Sequence, residues 1–259
     1  MRIASWNVNS VKARIGHLVD WLKQAEPDVV CLQEIKCVDE AFPTAEVEAL
    51  GYNVATHGQK SYNGVAILSK RPFEVMRGLP GDDADTQSRY IEAEIPTDSG
   101  AVRVASIYLP NGNPPLTDKY DYKLAWMDRL IAHAQGLLAL EEPLVLAGDY
   151  NVIPTAKDVH NPAAWEGDAL FLPRTRDKFR ELLALGFTDA FRACDDREGQ
   201  YTFWDYQAGA WQRNNGIRID HLLLSPQAAD KLQTCVIDKH VRTWEKPSDH
   251  VPIRIDLRA

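Results

Sequence analysis

Four polar motifs, far apart in the chain, sit where apolar runs end or begin. Arg2-Ile-Ala-Ser-Trp-Asn-Val-Asn9 carries Asn7 and Asn9 at the end of its run. Val29-Val-Cys-Leu-Gln-Glu34 ends on Glu34, and Leu144-Val-Leu-Ala-Gly-Asp-Tyr-Asn151 ends on Asp149 and Asn151. Ser248-Asp-His250 precedes the last run, Val251-Pro-Ile-Arg-Ile. One carboxylate at a strand end is a turn signal. Carboxylates, amides and a histidine at several strand ends form the inventory of a metal-dependent phosphoryl-transfer site.

Each group has a task it could perform there. In extended backbone Asp149 and Asn151 point the same way, about 7 Å apart, a spacing that suits two groups addressing one phosphate. Read alone, the pair is also an Asp-x-Asn turn. Glu34 suits a hard, oxygen-preferring cation such as Mg²⁺, with Mn²⁺ as substitute. Asn7 and Asn9 could complete an octahedral shell, hold a carboxylate in place, or cap the next helix. His250 beside Asp249 needs a partner to fix its tautomer. Asp220, in Arg218-Ile-Asp-His-Leu-Leu-Leu224, is that partner, because an unpaired charge inside an apolar strand is costly. His221 next to it should face the opposite side and serve structure. Tyr108, closing Val102-Arg-Val-Ala-Ser-Ile-Tyr108, could donate to a phosphate oxygen or pack half-buried. The aromatic stretch Tyr201-Thr-Phe-Trp-Asp-Tyr206, with Trp211, Ile217 and Ile219, reads as packing, as an apolar pocket for a small sugar-like group, or as a stacking surface for a base.

The elements that must hold these groups are short strands spread over the whole length. Apolar runs predict strands over 2–7, 28–34, 64–69, 89–95, 102–108, 144–149, 219–224 and 252–257. Helical spacing of Val11, Ile15, Leu18, Val19 and Leu22 predicts a helix over 11–25, capped by Ser10 and stopped before Pro27. Two more helices are predicted over 118–140 and 176–185. Strands mixed with helices, with no linker or repeat between them, predict one α/β domain over residues 1–259. Two mixed β-sheets should pack face to face with helices outside.

Composition narrows the class. The chain has 259 residues, 45% hydrophobic and 25% charged, as in ordinary soluble globular proteins. No apolar run is long enough to span a membrane, and no leader pattern opens the chain, so a cytoplasmic location is expected. The four cysteines form no C-x-x-C pair, which excludes zinc-finger spacing. A net charge of −8 excludes a protein that coats DNA through a broad basic face. It leaves room for local cations facing phosphates, for which Lys36, Lys60, Lys119, Lys123, Arg174, Arg176, Arg213 and Arg218 are available.

Taken together, these motifs resemble the exonuclease III family of apurinic/apyrimidinic (AP) endonucleases, within the DNase I-like endonuclease/exonuclease/phosphatase superfamily. Gln33-Glu34, Gly148-Asp149-x-Asn151 and Ser248-Asp-His250 are shared across the superfamily. Leu32-Gln-Glu-Ile-Lys36, Asn63-Gly-Val-Ala66, Tyr108-Leu-Pro-Asn111 and Arg218-Ile-Asp220 narrow the likeness to the AP-endonuclease branch. The resemblance implies a four-layer α/β sandwich with its site at one end of both sheets. It implies Glu34 as principal metal ligand, with Asn7, Asn9 and Asp249 defining the metal shell directly or through water. It implies that Asp149 activates water or protonates the leaving oxygen, and that Asn151 orients the water. Tyr108 and His250 would contact the phosphate, and Asp220 would hold His250. Phe203, Ile217 and Ile219 would receive a flipped-out abasic sugar, with Asn111, Trp204 and Arg218 among the substrate contacts. Ile217 stands where some relatives carry Trp, and the loop Asn111-Gly-Asn-Pro-Pro-Leu116 lacks their Arg or Lys. The expected partner is double-stranded DNA with abasic sites or blocked 3′ ends, bound by a monomer away from membranes. Two other readings compete. An inositol-phosphate or lipid phosphoesterase would carry a basic, cysteine-containing substrate motif, which is not seen. A non-catalytic nucleic-acid-binding protein would have lost some of the carboxylates.

Overall fold

A computed structural model of the chain describes residues 1–258. Twelve strands make two sheets. The first contains β1 (Arg2–Asn7), β2 (Val29–Gln33), β3 (Asn53–His57), β4 (Val65–Ser69), β11 (Leu232–Ile237) and β12 (Ile253–Leu257), in the order β11-β12-β1-β2-β4-β3. The second contains β5 (Glu74–Arg77), β6 (Tyr90–Thr97), β7 (Gly100–Tyr108), β8 (Leu144–Asp149), β9 (Thr188–Asp189) and β10 (Asp220–Leu224), in the order β5-β6-β7-β8-β10-β9. Each sheet holds one parallel pair, β1 with β2 and β7 with β8, among antiparallel neighbours, so both are mixed as expected.

Period-two alternation decides where each strand residue goes. Ile3, Val29, Cys31, Val104, Val145, Ala147, Leu222 and Leu224 meet in the core between the sheets. The opposite faces pack outward. Ala4, Trp6, Val30 and Leu32 lie against α1 (Ile15–Ala25) through Leu18, Trp21 and Leu22. Leu144, Leu146 and Leu223 lie against α3 (Asp118–Leu138) and α5 (Pro173–Ala184) through Trp126, Leu130, Phe179 and Leu182. The remaining helices, α2 (Thr44–Glu48), α4 (Pro162–Trp165), α6 (Ala190–Cys194) and α7 (Pro226–Ala229), are single turns on the connections. Helix, sheet, sheet and helix form the four layers. No helix among the described residues is long and apolar enough to cross a membrane.

The same alternation positions the site. Continuing upward from the apolar core, the inner faces present Ser5, Gln33 and Ser106, where Gln33 Nε2 donates to Ser5 Oγ (3.1 Å) and Ser106 Oγ (3.0 Å). One rung further come Asn7, Tyr108, Asp149 and Asp220. The interior thus passes from hydrocarbon through a neutral polar layer to charge.

The sequence missed β3, β5, β9 and β11, which are the four edge strands of the two sheets. The helix expected from Val11 begins at Ile15 instead, with Arg14 in the cap position. Asn9 and Ser10 hold positive φ (43° and 82°), which delays helix entry. Ser10 Oγ still accepts from the Ala13 backbone N–H (3.3 Å).

Candidate active site

The convergence begins with a register. Across the antiparallel pair β8 and β10, Asp149 stands directly opposite Asp220. Like charges in that relation repel. His250 lies between them: its Nδ1 is 2.8 Å from Asp220 Oδ2 and its Nε2 is 3.6 Å from Asp149 Oδ2. Burial lowers the proton affinity of His250, but the negative charges of Asp220 and Asp149 more than reverse this, so its pKa is raised. The imidazole is therefore the cation that lets two opposed carboxylates stay buried. Burial raises the pKa of Asp149, with His250 opposing and Asp220 adding to the rise.

Glu34 reaches the same point from the other sheet. It lies one residue past β2 with positive φ (50°), as do Lys36 (54°) and Asn151 (47°), so left-handed backbone gathers around the site. Single ligand atoms of Glu34, Asp149 and His250 lie within 4.8 Å of one another. Asn7 links the sheets, its Nδ2 donating to Glu34 Oε1 (2.8 Å) and Asp149 Oδ2 (2.9 Å). Lys36 Nζ pairs with Glu34 Oε2 at 2.9 Å. Burial pushes the Glu34 pKa up, but the Asn7 hydrogen bond and the Lys36 charge outweigh it and hold the carboxyl below its ordinary range. Gly148 is required here, since a Cβ would stand 2.0 Å from the Ile107 carbonyl oxygen.

Around these groups is a cavity of about 250 Å³, lined among others by Glu34, Tyr108, Asn111, Asp149, Asn151 and Asp249. Phe203, Ile217 and Ile219 form its apolar side, with Trp165 and Leu170. The N–H and side chain of Asn151 make three bonds: its N–H to Asp149 Oδ1 (3.0 Å), its Nδ2 to the Leu109 carbonyl (2.9 Å), and its Oδ1 accepting from Asn111 Nδ2 (3.3 Å). Burial and the nearby Glu34 and Asp149 charges raise the Tyr108 pKa well above its usual value, so the phenol keeps its proton.

Two expected placements need correction. Arg218 is 1% exposed and turned away from the cavity, with Nε on Asp158 (2.7 Å) and Nη2 on Asp189 (2.8 Å). Two buried carboxylates outbid a distant phosphate. Trp204 is fully buried against Tyr201 and Trp211, its Nε1 donating to Asn214 Oδ1 (3.1 Å), so it backs the pocket loop without lining it. Asn7 offers the carboxylates its amide N–H groups, while its Oδ1 accepts from the Asn9 backbone (3.0 Å). Asn9 accepts from Lys36 Nζ at its Oδ1 (2.6 Å) and donates from Nδ2 to Asp249 Oδ1 (3.3 Å). Asn7 thus holds both carboxylates in place, one of the roles open to it, and the Oδ1 of each Asn accepts one hydrogen bond. Asp249 lines the cavity but falls outside the Glu34–Asp149–His250 cluster.

His221 faces outward, as its alternation requires. Its Nε2 meets the Val152 carbonyl (2.9 Å), and Nδ1 meets Arg218 Nη1 (3.1 Å), so it is neutral with the proton on Nε2. The sequence reading did not find Trp165, Asp168 or Asn113 in the cavity wall, because none belongs to an apolar run or a recognisable motif. Of the basic residues available for phosphates, Lys60, Lys119, Arg174 and Arg213 are exposed, whereas Lys123 is fully buried.

A sequence model described as the Endonuclease/Exonuclease/phosphatase family matches residues 4–250. Exodeoxyribonuclease III of Haemophilus influenzae is 36% identical over 270 residues that span 100% of each chain. The structure of an AP endonuclease from Archaeoglobus fulgidus superposes with a TM-score of 0.95 at 37% identity, covering 100% of both chains. A 3′ phosphatase from Neisseria, solved bound to product DNA hairpin, superposes with a TM-score of 0.96 at 35% identity, again over 100% of both.

Proposed function

The chain belongs to the endonuclease/exonuclease/phosphatase family, and from that premise we propose that it is a Mg²⁺-dependent DNA repair nuclease. It hydrolyses the phosphodiester 5′ to abasic sites in duplex DNA and clears blocked 3′ ends as a phosphodiesterase and 3′→5′ exonuclease. The observation that carries this reading is the opposed pair Asp149 and Asp220, bridged by His250 and joined by Glu34. A non-catalytic DNA binder has no use for so costly a cluster.

The donor set fits a hard divalent cation. Glu34 supplies the carboxylate for it, and the acids in the cavity outnumber the cations. Such an ion, when bound, neutralises the phosphate oxygens and the leaving alkoxide. The chain's own groups do the rest. His250, kept protonated by Asp220, donates from Nε2 to a non-bridging phosphate oxygen. Tyr108 donates its phenolic proton to the same phosphate. Asn151, locked by its three bonds, uses the remaining lone pair of Oδ1 to orient the attacking water. Asp149 takes the water's proton, its raised pKa matching it to acid–base work near neutral pH. Phe203, Ile217 and Ile219 accept the deoxyribose of a nucleotide that lacks a base, which escapes most of the unstacking cost of a base-bearing one. The protein acts as a monomeric single domain in the cytoplasm.

Duplex oligonucleotides with and without one abasic analogue test the reading, in Mg²⁺, Mn²⁺ or chelator. The expected result is a metal-dependent cut 5′ to the lesion, with Glu34→Gln weakening Mg²⁺ binding in isothermal titration. Cleavage that persists in chelator would sink the metal assignment. Equal cleavage of the intact duplex would sink the abasic preference.

A further inference from the structure

Lys123 is a lysine on the buried stripe of α3, 0% exposed, between Tyr120 and Met127. It makes no ion pair within 4 Å among the described residues. Its Nζ instead donates to two backbone carbonyls, Asn151 O at 2.6 Å and Asn111 O at 3.0 Å. Burial drives its pKa down to about 7, and the charges of Asp149 and Asp168 only partly offset the fall. A methionine would fill the same volume without that cost. The amino group must therefore do something that packing cannot.

The two carbonyls identify the task. They belong to the residues that follow the ends of β7 and β8, and the side chains of these residues meet in the cavity, Asn111 Nδ2 to Asn151 Oδ1. Asn151 holds a left-handed backbone (φ 47°), which asparagine tolerates better than most L-residues and which the bonds to its N–H and carbonyl fix here. Gly112 has φ 85°, and a Cβ there would lie 2.6 Å from Lys123 Cδ. The loop thus closes directly over the lysine stem, and the head of the side chain ties both chain segments from beneath.

We propose that Lys123 is a positioning residue for phosphodiester hydrolysis: it clips the carbonyls of Asn111 and Asn151 and so fixes the Asn151 amide against the attacking water. The inference rests on the nuclease reading above. Lys123 touches no substrate and acts through Asn151.

The test uses Lys123→Met, Lys123→Gln, Asn151→Ala and the double variant Lys123→Met/Asn151→Ala, assayed on abasic duplex at saturating Mg²⁺. Lys123→Met should keep its far-UV spectrum and lower kcat by about tenfold or more, with KM changed by less than about threefold. Lys123→Gln, which keeps an N–H donor, should recover part of the loss. The double variant should lose little more than Asn151→Ala alone, because both changes break one unit. Unchanged kcat in Lys123→Met, a loss carried wholly by KM, or losses that multiply in the double variant would each overturn the proposal. If Lys123→Met does not fold, Lys123→Gln with Asn151→Ala gives the same cycle. If the wild type fails to cut abasic duplex, the nuclease reading falls separately. The clip is then read without substrate, from amide hydrogen exchange at Asn151 and Gly112. Lys123→Gln should speed it about tenfold, and unchanged protection would overturn the clip itself.

Discussion

Two buried charge clusters lie two residues apart along the segment entering β10, and they are built to opposite specifications. Around Arg218, two cations meet two anions: Arg218 and Arg192 against Asp158 and Asp189. Around Asp220, three carboxylates, Asp149, Asp220 and Glu34, face one buried cation, His250, with Lys36 at the rim. The balanced set drives Arg218, Asp158 and Asp189 further toward their charged forms, with Asp158 held at about 2 and Asp189 below its usual range. In the unbalanced set the Asp149 pKa rises, and Asp220 keeps one buried oxygen, Oδ1, without a hydrogen-bond partner among the described residues. A balanced cluster closes a structure. An unbalanced one is complete only when positive charge arrives from outside, which is what a metal-dependent phosphodiesterase needs.

The sharpest way to break this comparison is to remove the cation of the balanced set. Arg218→Met leaves Asp158 and Asp189 buried beside Arg192 alone. The expected loss of stability is about 3–5 kcal/mol, the range for breaking a buried pair by one partner. Urea unfolding measures it. At low temperature, where the variant remains folded, kcat should stay near the wild-type value. A raised KM for DNA with unchanged stability would return Arg218 to the substrate surface and dissolve the contrast.

Asp149→Asn tests the other side. It removes a negative charge from a site with too many, so the unfolding midpoint should hold or rise. Single-turnover cleavage should nonetheless fall by on the order of 10²-fold or more, as for a lost acid–base group. DNA affinity should be retained or tightened. Near-native turnover would show that another group moves the proton.

The sequence carried the active cluster better than the structural one, for a physical reason. Asp149, Asn7 and Glu34 close apolar runs, and Asp220 interrupts one, so their polarity stands out against predictable burial. Arg218 also adjoins such a run, but its partners Asp158 and Asp189 sit on a single 3-10 turn (Ala156–Asp158) and on a two-residue strand. Nothing in the sequence shows that they converge, and Arg218 read as a substrate contact by default. The same limit explains the missing strands. Edge strands face water on one side, so β5 and β11 are mostly exposed and lack the apolar run that marks a central strand. Lys123 was legible in principle. It falls at helical spacing from Tyr120 and Met127, both buried, and a lysine on that stripe needs a partner.

The smallest expected effect lies in acid and sharpens the contrast further. Burial pushes the Asp158 carboxyl upward, but the Arg218 charge and the hydrogen bonds from Arg218 and Arg192 overcome it and hold the native pKa at about 2. In the unfolded chain the same group titrates near 3.9, an ordinary aspartate value. A pKa lower in the folded state favours folding whenever the group is ionised. The contribution is therefore complete above about pH 4, declines as the unfolded chain takes up the proton, and is gone once pH falls through about 2. A shift of about two units corresponds to roughly 2–3 kcal/mol. Stability measured by urea unfolding between pH 5 and pH 2 should thus fall less steeply in Asp158→Asn than in the wild type, by up to about 1.4 kcal/mol per pH unit, the slope of one proton. The substitution costs stability at neutral pH, so the slope carries the test and the absolute value does not. Parallel curves for the two proteins would mean that Asp158 titrates alike in both states, and that the balanced cluster is not held together by its charges.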